Sequence, residues 1–362
     1  MIFKAILANK DLFPTRLSLV VFVGYVGLFT AQGLLVTASR NGNTTYPYNT
    51  TTVVLLTEVL KLALSTLIFL KDHTFWSFIS EVYDNKSMLV LYMVPAFLYC
   101  LYNNLSFTNL AAFDPTSYYI FMQIRLLFTG VVFQIMFKRY LSGMQWYSLC
   151  LVTLGCVVQK LDYATISKLF GPVDLSIQNV FYNSISFLLI VVQLSCSVCA
   201  GVYNEYLIKG NSGKNVHLMV QNVYMCLDSI FWNTVVLSYQ GQLITAFSMP
   251  SLASIAQTLV ILIIVNNACA GIITSMFLMN LNSIAKAFAS AIEIVFTAML
   301  SYLLFDIPIY INTVISVMIS SYAIVVYAKN PVKNPPVKSY LPNADKRDTS
   351  LKEKLLENTP SV

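Results

Sequence analysis

Long apolar stretches alternate with short polar breaks almost from one end of the chain to the other. A helix needs about 20 apolar residues to cross the hydrocarbon core of a bilayer. Windows of about 19 residues divide the sequence into ten such stretches, at 17–37, 50–70, 88–110, 115–137, 141–160, 183–208, 216–238, 255–280, 284–304 and 307–327. Lipid offers a backbone amide no water to bond, so these spans must satisfy their own hydrogen bonds as helices; open strands cannot. The pattern predicts an all-α membrane protein with a cytosolic segment at 1–16 and a transmembrane body at 17–327. A cytosolic tail follows at 328–362, whose Pro, Lys and Asn content reads as disordered. The breaks at 38–49, 71–87, 161–182 and 239–254 read as loops.

Composition supports this reading and excludes a water-soluble one. Hydrophobic residues make up 57% of the chain and charged residues 10%, where a soluble domain carries about 25% charged. The formal charge of +6 could suggest nucleic acid, but its distribution is a topology signal. With both ends cytosolic, sixteen basic residues lie on the cytosolic side: Lys4, Lys10, Arg16, Lys71, Lys86, Lys138, Arg139, Lys209, Lys214 and seven of the tail. Arg40, Lys160 and Lys168 lie on the other. That bias is the positive-inside rule, not a nucleic-acid patch. It puts Asn43 and Asn49, each opening an Asn-Thr-Thr sequon, on the lumenal side as candidate glycosylation sites. No small-residue cleavage site follows the first apolar run, which is expected to stay as a signal-anchor. The seven cysteines are odd in number, sit in apolar windows and show no metal-ligand spacing with His73 or His217, so no metal is expected. No HExxH, P-loop or GxSxG motif occurs, which points to a carrier without cofactor and away from an enzyme.

Candidate chemistry rests on the charges left inside the spans, because an intramembrane charge is costly and marks a polar cavity or a pairing. Three are basic: Lys61, Arg125 and Lys286. Glu58 lies three residues before Lys61 on one helix face, so these two neutralise each other as a structural or cavity-lining pair. Arg125 has no acid within a turn, and Tyr118, Met122, Arg125 and Thr129 share a face. A guanidinium suits bidentate phosphate contacts and a tyrosine ring stacks on a base; the alternative is a buried pairing with Asp228 or Glu293. Lys286 stands near the start of the ninth span, where a lysine can snorkel. It also heads a polar stripe of Ala289, Ser290, Glu293 and Thr297, in which Glu293 is a charge partner for Arg125 or Lys286 or a carrier of a coupled proton. The third span puts Tyr99, Tyr102, Asn103 and Ser106 on one face, able to read a base or sugar or to join helices. Small residues from Ser195 to Gly201 allow close helix packing, with Ser197 a candidate ligand contact. One cation in each of spans four and nine fits an inverted repeat of five plus five helices.

Several motifs resemble those of the nucleotide-sugar transporters of the CMP-sialic acid, UDP-galactose and UDP-N-acetylglucosamine branch. They are Thr57-Glu58-Val59-Leu60-Lys61-Leu62, Asn103-Asn104-Leu105 with Asp114, Gln123-Ile124-Arg125, Leu141-Ser142 with Gln145-Trp146, Gly155 with Gln159, and Ala200-Gly201-Val202-Tyr203 with Glu205. The likeness runs from about residue 20 to 328. It implies a drug/metabolite-transporter fold in the Golgi membrane, the ER being the alternative, that exchanges a nucleotide sugar for a nucleoside monophosphate by alternating access. It also implies a cavity containing Lys61, Tyr99, Asn103, Tyr118, Arg125, Ser197, Asn222 and Lys286, with Arg125 and Lys286 on the phosphates and Asn103 and the tyrosines on the base. UDP-galactose is the expected substrate; CMP-sialic acid, UDP-N-acetylglucosamine, a sugar phosphate, or a non-transporting scaffold are the alternatives. A homodimer is compatible with the sequence, which leaves the oligomeric state open. The chain departs from the family pattern at Arg125 (usually lysine), Tyr102 (usually glutamine), Cys226 (usually tyrosine) and Ala287 (usually glycine).

Overall fold

The computed structural model of the chain describes residues 13, 15–39, 48, 50–112, 115–160, 177–210, 213, 215–305 and 309–330. Asn43, Asn49 and nearly all of the two terminal segments lie outside them. The described residues form helices and no strands: α1 (Arg16–Ser39), α2 (Thr50–Asp72), α3 (Phe75–Asp84), α4 (Ser87–Ala112), α5 (Pro115–Gln123), α6 (Arg125–Phe137), α7 (Gly143–Lys160), α8 (Ile177–Lys209), α9 (Leu218–Tyr239), α10 (Leu243–Ala246), α11 (Met249–Ile255), α12 (Thr258–Asn280), α13 (Ser283–Phe305) and α14 (Ile311–Lys329).

Eight helices among the described residues are long and apolar enough to cross a membrane: α1, α2, α4, the run of α5 and α6, α8, α12, α13 and α14. The sequence pattern gave ten spans. At the two remaining positions stand α7, of 18 residues, and α9, of 22, which carry more inward-facing polar groups, among them Gln221, Asn222, Asp228 and Ser229, all buried. Two expected loops contain short helices. Thr74 caps α3, its hydroxyl accepting from Ser77 N at 3.3 Å, while α10 and α11 fill the segment expected as a loop at 239–254.

The molecule is apolar outside, and its largely apolar interior also holds buried polar groups. Val20, Leu67, Val90, Ile135 and Leu303 are each more than three-fifths exposed, a surface suited to lipid, whereas Gln193, Glu205 and Asn282 are almost wholly buried. Neighbouring helices pack α4 on α8 and α9, α12 on α1 and α2, α6 on α8, α13 on α1, α2 on α9, and α7 on α14. At the last contact Gly155 lies so close to Ser320 and the Ser316 carbonyl that a Cβ would clash. Ser142 and Gln145 form a capping box at the start of α7: Gln145 Oε1 accepts from Ser142 N at 2.9 Å, and Ser142 Oγ accepts from Gln145 N at 3.3 Å. Gln145 Nε2 then donates to the Asn330 carbonyl at 3.0 Å, tying α7 to the end of α14.

The helix ends sort by charge. Lys71, Lys86, Lys138, Arg139, Lys209 and Lys329 all lie at one end, where Glu81 Oε1 accepts from His217 N at 2.6 Å. At the opposite end Thr52 Oγ1 donates to the Ala246 carbonyl at 2.6 Å, and Asn312 Nδ2 to the Gln159 carbonyl at 3.1 Å.

Candidate functional site

The fourth span is two helices. Ile124 sits between α5 and α6 in the α region (φ −58, ψ −23), and its N–H turns to Phe121 O, three residues back, at 3.1 Å. This tightened turn makes Arg125 the first residue of α6 instead of a mid-helix position. The next helix of the same kind, α13, starts after a turn that is held from outside. Glu205 of α8, only 1% exposed, accepts from Ser283 N at 2.7 Å and from Ser283 Oγ at 2.6 Å. Lys209 pairs with Glu205 at 2.7 Å and also donates to the Leu281 carbonyl, while Asn282 Oδ1 accepts from Ala285 N at 2.7 Å. The donors that open a helix need such partners. Lys286 is therefore placed on the first turn of α13 by groups from α8.

Lys286 lines a cavity of about 420 Å³ between α1, α2, α4, α9 and α12, together with Glu58, Lys61, Tyr99, Asn103 and Asn222. Lys61 and Glu58 pair at 2.7 Å as their spacing implies, and Cys226 is buried beside them. Gly271 makes room for the lysine: a Cβ there would stand 2.6 Å from Lys61 Cδ. At Gly201 a Cβ would meet the Tyr99 hydroxyl at 3.6 Å, an ordinary contact. Asn222 Oδ1 accepts from Ser275 Oγ at 2.5 Å, which orients the amide.

The remaining candidates occupy other places. Arg125 is half-buried, is not among the residues lining this cavity, and acts electrostatically on Tyr25, Tyr99, Tyr102, Lys286 and Glu293. The ion pairs within 4.0 Å among the described residues are Glu58–Lys61 and Glu205–Lys209; neither includes Arg125, Lys286, Asp228 or Glu293. Tyr118 is 4% exposed and belongs to a polar network in which Gln193 Nε2 donates to its hydroxyl at 2.8 Å and Ser106 Oγ stands at 3.1 Å. Gln193 Oε1 in turn accepts from Asn109 Nδ2 at 2.7 Å. Tyr102 packs beside Tyr118, and Ser197 is half-buried on α8; neither is among the residues lining the cavity. Gln193, Glu205 and Ser283 were not singled out for a role by the sequence, since only Glu205 falls in a motif and, Lys209 apart, their partners are distant in the chain.

A second cavity of about 600 Å³, lined by Thr50, Asn104, Gln240 and Gln242 among others, shares Val54, Asn103 and Asn233 with the first. Together they form one path from Lys286 to the end away from the basic residues. The basic end is closed. There Phe69 stacks on His73 at 4.6 Å and meets His217 edge-on at 5.0 Å. Tyr92 Oη donates to Gln221 Oε1 at 2.7 Å, and Tyr224 Oη to the Val82 carbonyl at 2.8 Å, so α4 and α3 are each tied to α9.

This architecture, a helical body apolar outside with a basic, polar cavity inside, is that of a multi-pass membrane protein handling an anionic solute. Comparison with known proteins narrows the class. A family model for nucleotide-sugar transporters matches residues 15–328. The UDP-galactose transporter senju of Drosophila melanogaster is 48% identical over 348 residues, covering 90% of this chain and 89% of its own length. CMP-sialic acid transporter 1 of Oryza sativa subsp. japonica is 27% identical over 305 residues, 83% of this chain and 90% of its own. A solved crystal structure shares the fold with a TM-score of 0.60 at 11% identity, over 85% of this chain and 96% of that one. The chain belongs to the nucleotide-sugar transporter family.

Proposed function

We propose that this chain carries UDP-galactose into the Golgi lumen in exchange for a uridine monophosphate, by alternating access of ten helices arranged as two inverted halves of five. The observation that carries the reading is the pair Arg125 and Lys286. Each stands in the first turn of a helix, α6 and α13, without an ion-paired carboxylate within 4.0 Å among the described residues. Two such cations in a low-dielectric interior are anion-seeking, and a diphosphate supplies the matching charge. Tyr99, Asn103 and Asn222 supply an aromatic ring and amides for a pyrimidine base and a sugar. The two relatives described above are, by name, transporters of a uridine and a cytidine conjugate. The more similar of them is the UDP-galactose transporter, which favours that substrate.

The repeat finds support in the helix packing. Exchanging α1 for α8, α2 for α9, α4 for α12, α5–α6 for α13 and α7 for α14 turns each principal contact into another observed contact or into itself. The α4–α8 contact becomes α12–α1, α4–α9 becomes α12–α2, and α6–α8 becomes α13–α1, while α2–α9 and α7–α14 map onto themselves. Arg125 and Lys286 exchange places. In this scheme the described conformation faces the lumen, with the cytosolic entrance closed by α3 and the Phe69–His73–His217 cluster.

The test is exchange in liposomes reconstituted with purified protein and preloaded with UMP. External UDP-[3H]galactose should accumulate only in preloaded vesicles, and more than CMP-sialic acid or UDP-N-acetylglucosamine. Equal accumulation in empty vesicles would reject exchange, and preference for another conjugate would reject the substrate.

A further inference from the structure

A third cavity, of about 340 Å³, lies between α1, α7, α13 and α14 and shares no lining residue with the path described above. Its walls present oxygen: the Glu293 carboxylate, Gln159, Thr297, Ser301, Tyr310 and Thr313. Gln159 Oε1 and Thr297 Oγ1 are buried and have no hydrogen-bond partner among the described residues. Among the described residues, no basic side chain lines the cavity. Tyr310 is 64% exposed at the helix end away from the basic residues, so the cavity meets the lumenal side under the proposed orientation.

Glu293 links this cavity to the cations of the substrate site: Arg125 of α6 and Lys286, two turns earlier on α13, both act on it electrostatically. From α1 Tyr25 also interacts with it electrostatically. From α7 and α14 the described groups that line the cavity are neutral. The charge balance is then simple and rests on the proposed nucleotide-sugar site. Arg125, Lys286 and Glu293 sum to +1 in the empty site, the Glu58–Lys61 pair contributing nothing. A diphosphate of charge −2 on the two cations leaves −1, located at Glu293. An uncompensated charge in a low-dielectric interior is unfavourable, and an oxygen-lined cavity beside that carboxylate is suited to a cation.

We propose that the Glu293 cavity is a lumenal monovalent-cation site, which takes up a proton or an alkali ion as the substrate's phosphates engage Arg125 and Lys286 and releases it when they leave. Binding of the anion and of the cation are then linked, each strengthening the other.

Isothermal titration of UDP-galactose into the purified full-length protein distinguishes the two cations. Run near pH 7 in buffers of different ionisation enthalpy, the titration reads protons taken up per ligand. Run at fixed pH with Na+, K+ or choline, it reads alkali dependence. The wild type should take up about one proton or, in the other arm, lose about tenfold in affinity for each tenfold fall in the alkali ion. Glu293→Gln should keep measurable binding and lose that linkage. UDP-galactose binding with neither proton uptake nor alkali dependence would overturn the proposal, as would linkage that persists in Glu293→Gln. A wild type that binds no nucleotide sugar would overturn the carrier reading, and this inference with it.

Discussion

Arg125 and Lys61 are both cations inside the membrane body, yet their surroundings give them opposite expected roles. Lys61 is held at 2.7 Å by Glu58, so its charge is cancelled before any substrate arrives. Arg125 has no such partner among the described residues. Charge-assisted contacts are worth about 1.5–3 kcal/mol, so Arg125→Ala should lower nucleotide-sugar exchange about 10- to 100-fold at unchanged protein abundance. Arg125→Lys keeps the charge but not the planar fork, and should retain more activity than alanine; liposome uptake checks both. Gly271→Ala tests the seat of Lys61 more gently. The added Cβ would fall 2.6 Å from Lys61 Cδ, but a flexible lysine can bend away. The expected outcome is a raised KM with a thermal midpoint shifted by less than about 2–4 °C.

The clearest lesson at the scale of elements is that helices near the site are set up by groups on other helices. Ser283, the first residue of α13, is held by Glu205 of α8, which is itself held by Lys209. Breaking a buried pair by removing one partner costs about 3–5 kcal/mol, because the other charge is stranded. Glu205→Ala should therefore lower the thermal midpoint and the maximal exchange rate together. Adding Lys209→Met should recover part of the stability but not the rate, since α13 still lacks its cap; a thermal-shift assay and uptake measured side by side would show this. The same logic explains motif residues that contact no ligand. Ser142 and Gln145 cap α7, and Gly155 lets α7 approach α14.

For the whole molecule, the sorting of basic residues to one end predicts which surfaces are reachable from which compartment. Tyr140 is 94% exposed at the basic end and Ile244 86% exposed at the other. In a cysteine-free background, Tyr140→Cys should react with a membrane-impermeant maleimide in intact, right-side-out Golgi vesicles, and Ile244→Cys only after permeabilisation. The reverse pattern would invert the topology. Closure at the basic end also has a measurable consequence. Tyr224→Phe removes the bond to the Val82 carbonyl, and should increase labelling of cytosol-facing cavity positions by shifting the population toward the open state.

Much of this architecture was legible along the chain, and the reason is the solvent. Lipid admits helices and little else, so apolar run length announces the spans, and lysine and arginine gather at one set of helix ends. The pairing of Glu58 with Lys61 was legible because it lies within one helical turn. What the tertiary structure alone decided involves partners far apart. Tyr118 is claimed by Gln193, 75 residues away, and Ser283 by Glu205, 78 residues away. The break at Ile124 interrupts an apolar run that carries no proline or glycine at that point. The short helix α3, whose residues read as a loop, closes one end of the cavity through contacts with α9. Periodicity reports which residues share a face of one helix; which face meets the cavity, and which polar group is already taken, depends on helices that only folding brings together.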